Sequence, residues 1–212
     1  MEMNITRHRV FAFTLTELLV VIAIIAVLTG LAFPVFQGVQ NSARKTQAKN
    51  DLTQVVTATN AFYTEYGRYP TAATTDVAAR YGPGQTASGA IFNELRGKSG
   101  ASLNTRLIVF ISPPEDATKL NPKGKIGSDG QFYDPWGSAY SFRIDADYDN
   151  EIENPYGAAG GAGPEKIRQG VLAWSFGKNG AFGGGAAFSA NFSKEPGTAG
   201  SYASSGDVIS WQ

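Results

Sequence analysis

The sequence predicts an α+β fold in which one long N-terminal helix is covered by the strands of a small antiparallel sheet, with long loops between them. Three observations predict it. An apolar run near the N-terminus is long enough for a continuous helix, an amphipathic period of three to four residues follows it, and short β-branched or alternating segments appear only further on. With 212 residues, 42% hydrophobic and 17% charged, the chain suits one domain plus a stalk better than a disordered polymer.

The first element is set by its flanks. Arg7, His8 and Arg9 precede an apolar run from Phe13 to Phe36 in which Glu17 is the only ionisable side chain. At about 1.5 Å of rise per residue, the stretch from Phe13 to Phe33 spans about 31 Å, close to a hydrocarbon core of roughly 30 Å. The two arginines lie before the run, so the positive-inside bias keeps the leader in the cytoplasm and sends the residues after about 36 outward. A cleaved secretory signal is the competing reading, but it requires a shorter apolar stretch ending in small residues of A-x-A type. An acid inside a membrane helix costs roughly 2.5–3.5 kcal/mol and marks a partner. The run contains no cation, but a cut between Ala12 and Phe13 would create an α-amino group and make Glu17 the fifth residue of the mature chain.

The segment Ala12-Phe13-Thr14-Leu15-Thr16-Glu17 resembles the prepilin peptidase motif of type IV pilins and pseudopilins, with alanine where the family has glycine before the cut. The resemblance implies cleavage after Ala12 by a membrane aspartyl peptidase and N-methylation of Phe13. It also implies pairing of Glu17 with a neighbouring subunit's N-terminal amine during assembly. Pro34 also resembles the family in its distance from the cut. Its ring opposes the carbonyl of Gly30, so a kink or melted turn is expected there.

Beyond Pro34, the residues Leu52, Val55, Val56, Thr59, Phe62, Tyr63 and Tyr66 form a stripe opposite Asp51, Gln54, Thr57 and Thr64. The helix therefore continues, and Gly67 with Pro70 stops it. Its stripe needs a cover, for which the remaining chain is the natural source and a coiled coil the weaker alternative. Ile91 to Arg96 reads as a helical turn. Leu107 to Ile111, a half-buried Tyr140 to Asp145, Val171 to Phe176 and Val208 to Trp211 read as strands.

Ala43-Arg44, Tyr66-Gly67-Arg68-Tyr69-Pro70, Asp134-Pro135-Trp136-Gly137, Ser175 to Gly180 and Asp207 to Trp211 together look like the major pseudopilin of the type II secretion system. Residues 71–130 and 181–206 have no counterpart in it. The resemblance implies a pilin-like fold divided into a leader (1–12), a transmembrane and polymerisation helix (13–36), its periplasmic continuation (37–67) and a globular head (68–212). It also implies calcium between the last two strands, where Asn179 and Asp207 are the matching positions. Asparagine there offers one neutral oxygen in place of a carboxylate, so weak binding or none is expected. A separate calcium candidate is Asp145, Asp147 and Asp149, whose alternate spacing is similar to the start of an EF-hand loop, without its glycine and terminal glutamate.

Composition removes several function classes. Lys and Arg equal Asp and Glu at 18 each, so no net field draws the chain to nucleic acid. Cysteine is absent and the only histidine, His8, lies in the leader, which leaves the mature chain without a Ser-His-Asp triad, thiol catalysis or histidine metal sites. Acids between 145 and 153 invite a glycosidase reading. The glycine runs at 157–163 and 183–185 lack the Lys-Ser/Thr ending of a phosphate loop. The expectation is a non-enzymatic subunit that forms a helical homopolymer in a pseudopilus. Its expected partners are the prepilin peptidase, minor pseudopilins and an inner-membrane assembly platform, with the head in the periplasm. A surface pilus for adhesion, motility or DNA uptake, and an anchored binding or hydrolytic domain, remain the alternatives.

Overall fold

The computed structural model describes residues 14–180 and 202–212; the side chains of 31–35, 159, 179, 203 and 204 lie outside the description. Helix α1 runs Leu15–Tyr66, and the chain falls into two compact units, Met1–Ser42 and Ala43–Gln212.

In the first unit the described residues are helical from Leu15, where Leu and Ala are good helix formers and no Gly or Pro intervenes before Gly30. Helical geometry is continuous through Pro34, so the melted turn expected there is not observed. Leu18, Leu19, Val20, Val21, Ile22, Ile24, Ile25, Val27 and Leu28 are all exposed. Among the described residues no helix is long and apolar enough to cross a membrane. The sequence-predicted run extends to residues outside the described set, namely Phe13 and the side chains of 31–35.

The second unit holds the core. Ala48, Leu52, Val55, Ala58, Thr59 and Phe62 make the buried stripe of α1, at the three-to-four-residue period the sequence predicts. Tyr63 is exposed instead, its ring stacked on Tyr69 with centroids 4.8 Å apart. The helix stops where Gly67 takes φ +67 and donates its N–H to the Tyr63 carbonyl.

The stripe is covered by a four-stranded antiparallel sheet in the order β1 (Arg80–Tyr81), β2 (Ser141–Ile144), β5 (Val171–Ser175), β6 (Val208–Ile209). Phe142, Ile144, Val171 and Ala173 from its central strands join the α1 residues in one cluster, which establishes the α+β arrangement of a long helix on a small sheet. A short helix, α2 (Gly89–Leu95), stands where a helical turn is predicted and places Phe92 edge-on to Phe132 and Phe142. A second ribbon pairs β3 (Ile152–Glu153) with β4 (Lys166–Ile167), and a one-turn helix α3 (Tyr202–Ser205) precedes β6.

Two strand expectations need correction. Leu107 to Ile111 is not a strand: Leu107 has φ +52, and the amides of Phe110 and Ile111 both donate to the Leu95 carbonyl. Buried Glu94 accepts the N–H groups of Ser102, Leu103 and Asn104, and the Asn104 side chain accepts from Ile108 N–H and donates to its carbonyl. These bonds satisfy the segment's backbone without a ladder. Strand β2 is not half-buried but buried on both faces, and its Arg143 is only 2% exposed. The Arg143 Nη1 donates to the Glu153 carbonyl at 2.7 Å, so the β3–β4 ribbon supplies the second cover.

Candidate functional site

The N-terminal residues named by the sequence are Ala12, Phe13, Glu17 and Pro34. Ala12 and Phe13 lie outside the described residues, as does the side chain of Pro34. Glu17 is exposed, in the first turn of α1, and its Oε2 accepts both the Thr14 N–H (2.8 Å) and the Thr14 hydroxyl (2.6 Å). The Thr14 hydroxyl oxygen in turn accepts the Glu17 N–H at 3.2 Å. This is a capping box, with Thr at the N-cap and Glu three residues on, satisfying two donors that a helix start leaves open. The carboxylate is thus held by its own helix, and among the described residues no cation forms an ion pair with it. The T-x-x-E spacing of Thr14 and Glu17 is itself a helix-start signature in the sequence.

The acidic candidates come together further along. One carboxylate oxygen each from Asp145, Asp147, Asp149 and also Asp76 lies within 4.8 Å of the others. Asp145 is 4% exposed and held at the end of β2, Asp147 and Asp149 are exposed on the following loop, and Asp76 lies just before β1. The loop is shaped by amide donation into the carboxylates: Ala146 N–H to Asp76 Oδ1 (2.8 Å), Asn150 N–H to Asp145 Oδ2 (2.9 Å) and Glu151 N–H to Asp149 Oδ1 (2.8 Å). Tyr148 and Asn150 take positive φ to make the turn. Burial, with smaller contributions from the neighbouring carboxylates, pushes the Asp76 and Asp145 carboxyls above the ordinary aspartate range. Asp76 was not foreseen, because nothing in its local Thr-rich segment links it to the later aspartates.

The other calcium candidate is not assembled in the same way. The Asn179 side chain lies outside the described residues, and Asp207 is buried with its Oδ2 accepting the Tyr156 hydroxyl at 2.7 Å. The Asp134-Pro135-Trp136-Gly137 motif proves structural. Fully buried Asp134 gathers the N–H groups of Trp136, Gly137 and Ser138 on Oδ1 (2.8–2.9 Å) and the Ser175 hydroxyl on Oδ2 (2.6 Å).

Comparison with known proteins bears on the N-terminal segment. The prokaryotic N-terminal methylation motif matches residues 7–33. The chain is similar to the type IV major pilin protein PilA of Myxococcus xanthus (strain DK1622), with 40% identity over 57 residues, 27% of this chain and 26% of that protein. The chain thus spans about a quarter of the length of that relative. No solved structure matches. The motif and the pilin relative together support the type IV pilin-like superfamily for this chain, without distinguishing a pilus from a pseudopilus subunit.

Proposed function

We propose that the chain is a structural subunit, not an enzyme, which is cut after Ala12, methylated on Phe13 and polymerised through α1 into a helical filament. The observation that carries this is the run of exposed apolar side chains from Leu18 to Leu28 on a helix whose first turn holds an acid. Such a surface is stable only when lipid or neighbouring copies cover it. Lipid covers it before assembly and adjacent helices afterwards. Heterologous contacts that do not close produce an open filament. In that filament Glu17 exchanges its Thr14 donors for the terminal ammonium of an adjacent Phe13, and the pairing sets the stagger between copies more than it adds stability.

Within this class we favour a pseudopilus of a type II secretion system, anchored in the inner membrane with the head in the periplasm. The Asp-Pro-Trp-Gly turn and the Asp207 to Trp211 ending support that reading. The prepilin peptidase, minor pseudopilins and the inner-membrane platform are the partners it requires. The resemblance to a major pilin favours the second reading, a surface type IV pilus for adhesion, motility or DNA uptake.

The test is Glu17→Ala in the native host. Mass spectrometry should find the mature chain still starting at Phe13, and electron microscopy should find few or misregistered filaments. Wild-type filament numbers in that variant would sink the assembly mechanism. Deleting the gene separates the finer readings: loss of exported enzymes with motility intact supports the pseudopilus, and the reverse supports the surface pilus.

A further inference from the structure

We infer that Asp76, Asp145, Asp147 and Asp149 form a divalent-cation site, suited to calcium, that ties the segment before β1 to the loop after β2. The inference is independent of the filament reading, because all four residues lie in the second unit.

The first ground is geometric. Two oxygens bound to one calcium at about 2.4 Å lie at most about 4.8 Å apart, and the four carboxylate oxygens fall within 4.8 Å of one another. Magnesium, with ligands at about 2.0–2.1 Å, would require the group to contract. The second ground is a buried acceptor with nothing to accept. Asp145 is 4% exposed, its Oδ2 takes the Asn150 N–H, and its Oδ1 is shut off from solvent with no hydrogen-bond partner. A buried carboxylate oxygen is seldom left so, since the desolvation is uncompensated, and a cation in the group would satisfy it. Third, among the described residues none of the four aspartates makes an ion pair, although Arg143 and Lys166 are close enough to feel their charge. Asp147 and Asp149 are exposed and form the open rim through which an ion enters.

The consequence is mechanical. The loop carries Tyr148, whose hydroxyl accepts the Tyr69 N–H at 3.3 Å and whose ring lies nearly parallel to Tyr69, 5.8 Å between centroids. Tyr69 stands just beyond the end of α1, so a bound cation would fix the loop against the point where the helix gives way to the head.

The test uses the full mature chain in detergent micelles, stripped with chelator and titrated calorimetrically with calcium chloride and then magnesium chloride. Wild type should give a saturable calcium heat, bind magnesium more weakly and melt at a higher temperature with calcium than with chelator. Asp147→Asn with Asp149→Asn, both at exposed positions, should melt like wild type in chelator but bind calcium more than about tenfold more weakly. Asp207→Asn should keep wild-type affinity, which separates this site from the Asn179 and Asp207 candidate. Absence of calcium heat in wild type, unchanged affinity in the double variant, or loss of binding in Asp207→Asn alone would overturn the inference.

Discussion

Replacing Asp134 with alanine separates a structural motif from a ligand-binding one. The carboxylate accepts four hydrogen bonds from the turn and from β5, and hydrogen bonds to a charged group contribute about 1.5–3 kcal/mol each. The sum overstates the loss. Burial raises the Asp134 carboxyl above its usual range despite those four donors, so part of their strength offsets the cost of a desolvated charge. Trp136, Gly137 and Ser138 are partly exposed, so water can take over some of their N–H groups in the variant, whereas the Ser175 hydroxyl is buried and would be stranded. No charge is left stranded, only neutral donors, and a buried donor left unsatisfied costs about 1–3 kcal/mol, so a net loss of about 2–4 kcal/mol follows, against a total stability of about 5–15 kcal/mol. Asparagine keeps an oxygen for the three turn amides and removes the buried charge. It disturbs only the Ser175 contact, so Asp134→Asn should cost about 1 kcal/mol. The assay is denaturant unfolding of the full chain in micelles, read from the fluorescence of Trp136, Trp174 and Trp211. A loss under about 1 kcal/mol in Asp134→Ala, or equal losses in the two variants, would refute a purely structural role.

Three further outcomes are expected. Phe62→Ala empties a fully buried site between α1 and Phe110 and should cost about 3–5 kcal/mol in the same unfolding assay. Burial, opposed by the Tyr140 hydrogen bond and reinforced by the charge of Asp134, pushes the Asp51 carboxyl above its ordinary value. A carboxyl raised in the folded state favours folding while protonated and loses that contribution as pH rises through its folded pKa. Asp51→Asn should therefore gain relative to wild type as pH rises above the ordinary aspartate range, and a melting difference that does not change with pH counts against this. Thr14→Val removes the hydroxyl of the capping box at a cost of about 1 kcal/mol of helix-start stability. Amide exchange at Leu15 to Glu17 should quicken while the head's exchange stays unchanged.

The long helix and its buried face were legible because the 3.6-residue period is carried by many residues and survives the misplacement of one, as Tyr63 shows. Strands β2 and β5 were legible from local patterns, the alternation of Phe142 and Ile144 with Ser141 and Arg143 in the one and the apolar run from Val171 to Trp174 in the other. Ribbon β3–β4 was not, since its two-residue strands are fixed by contact with Arg143 and not by any pattern of their own. Leu107 to Ile111 looked like a strand because β-branched composition reports on side chains, and the competition that decided its backbone came from Glu94 and Asn104. Among the site residues, Asp145, Asp147 and Asp149 were visible through their spacing. Asp76 was not, because only tertiary folding brings the segment before β1 beside them.

The capping box changes how Glu17 must be understood. An acid in an apolar helix was expected to stand in deficit until a cation arrived, yet Thr14 already supplies it with an N–H and a hydroxyl. In the proposed filament a neighbour's ammonium would compete with these two hydrogen bonds, and its advantage would be a full opposite charge, whose Coulomb attraction grows in a low-dielectric surrounding and which neutral donors lack. On the proposed reading, an unassembled subunit would keep its acid partnered by Thr14, and a neighbour without a free terminal amine would offer too little to displace it. If the chain is cut after Ala12 as proposed, that cut would license assembly, because it would create on a neighbouring copy a cationic donor able to outcompete the helix's own cap.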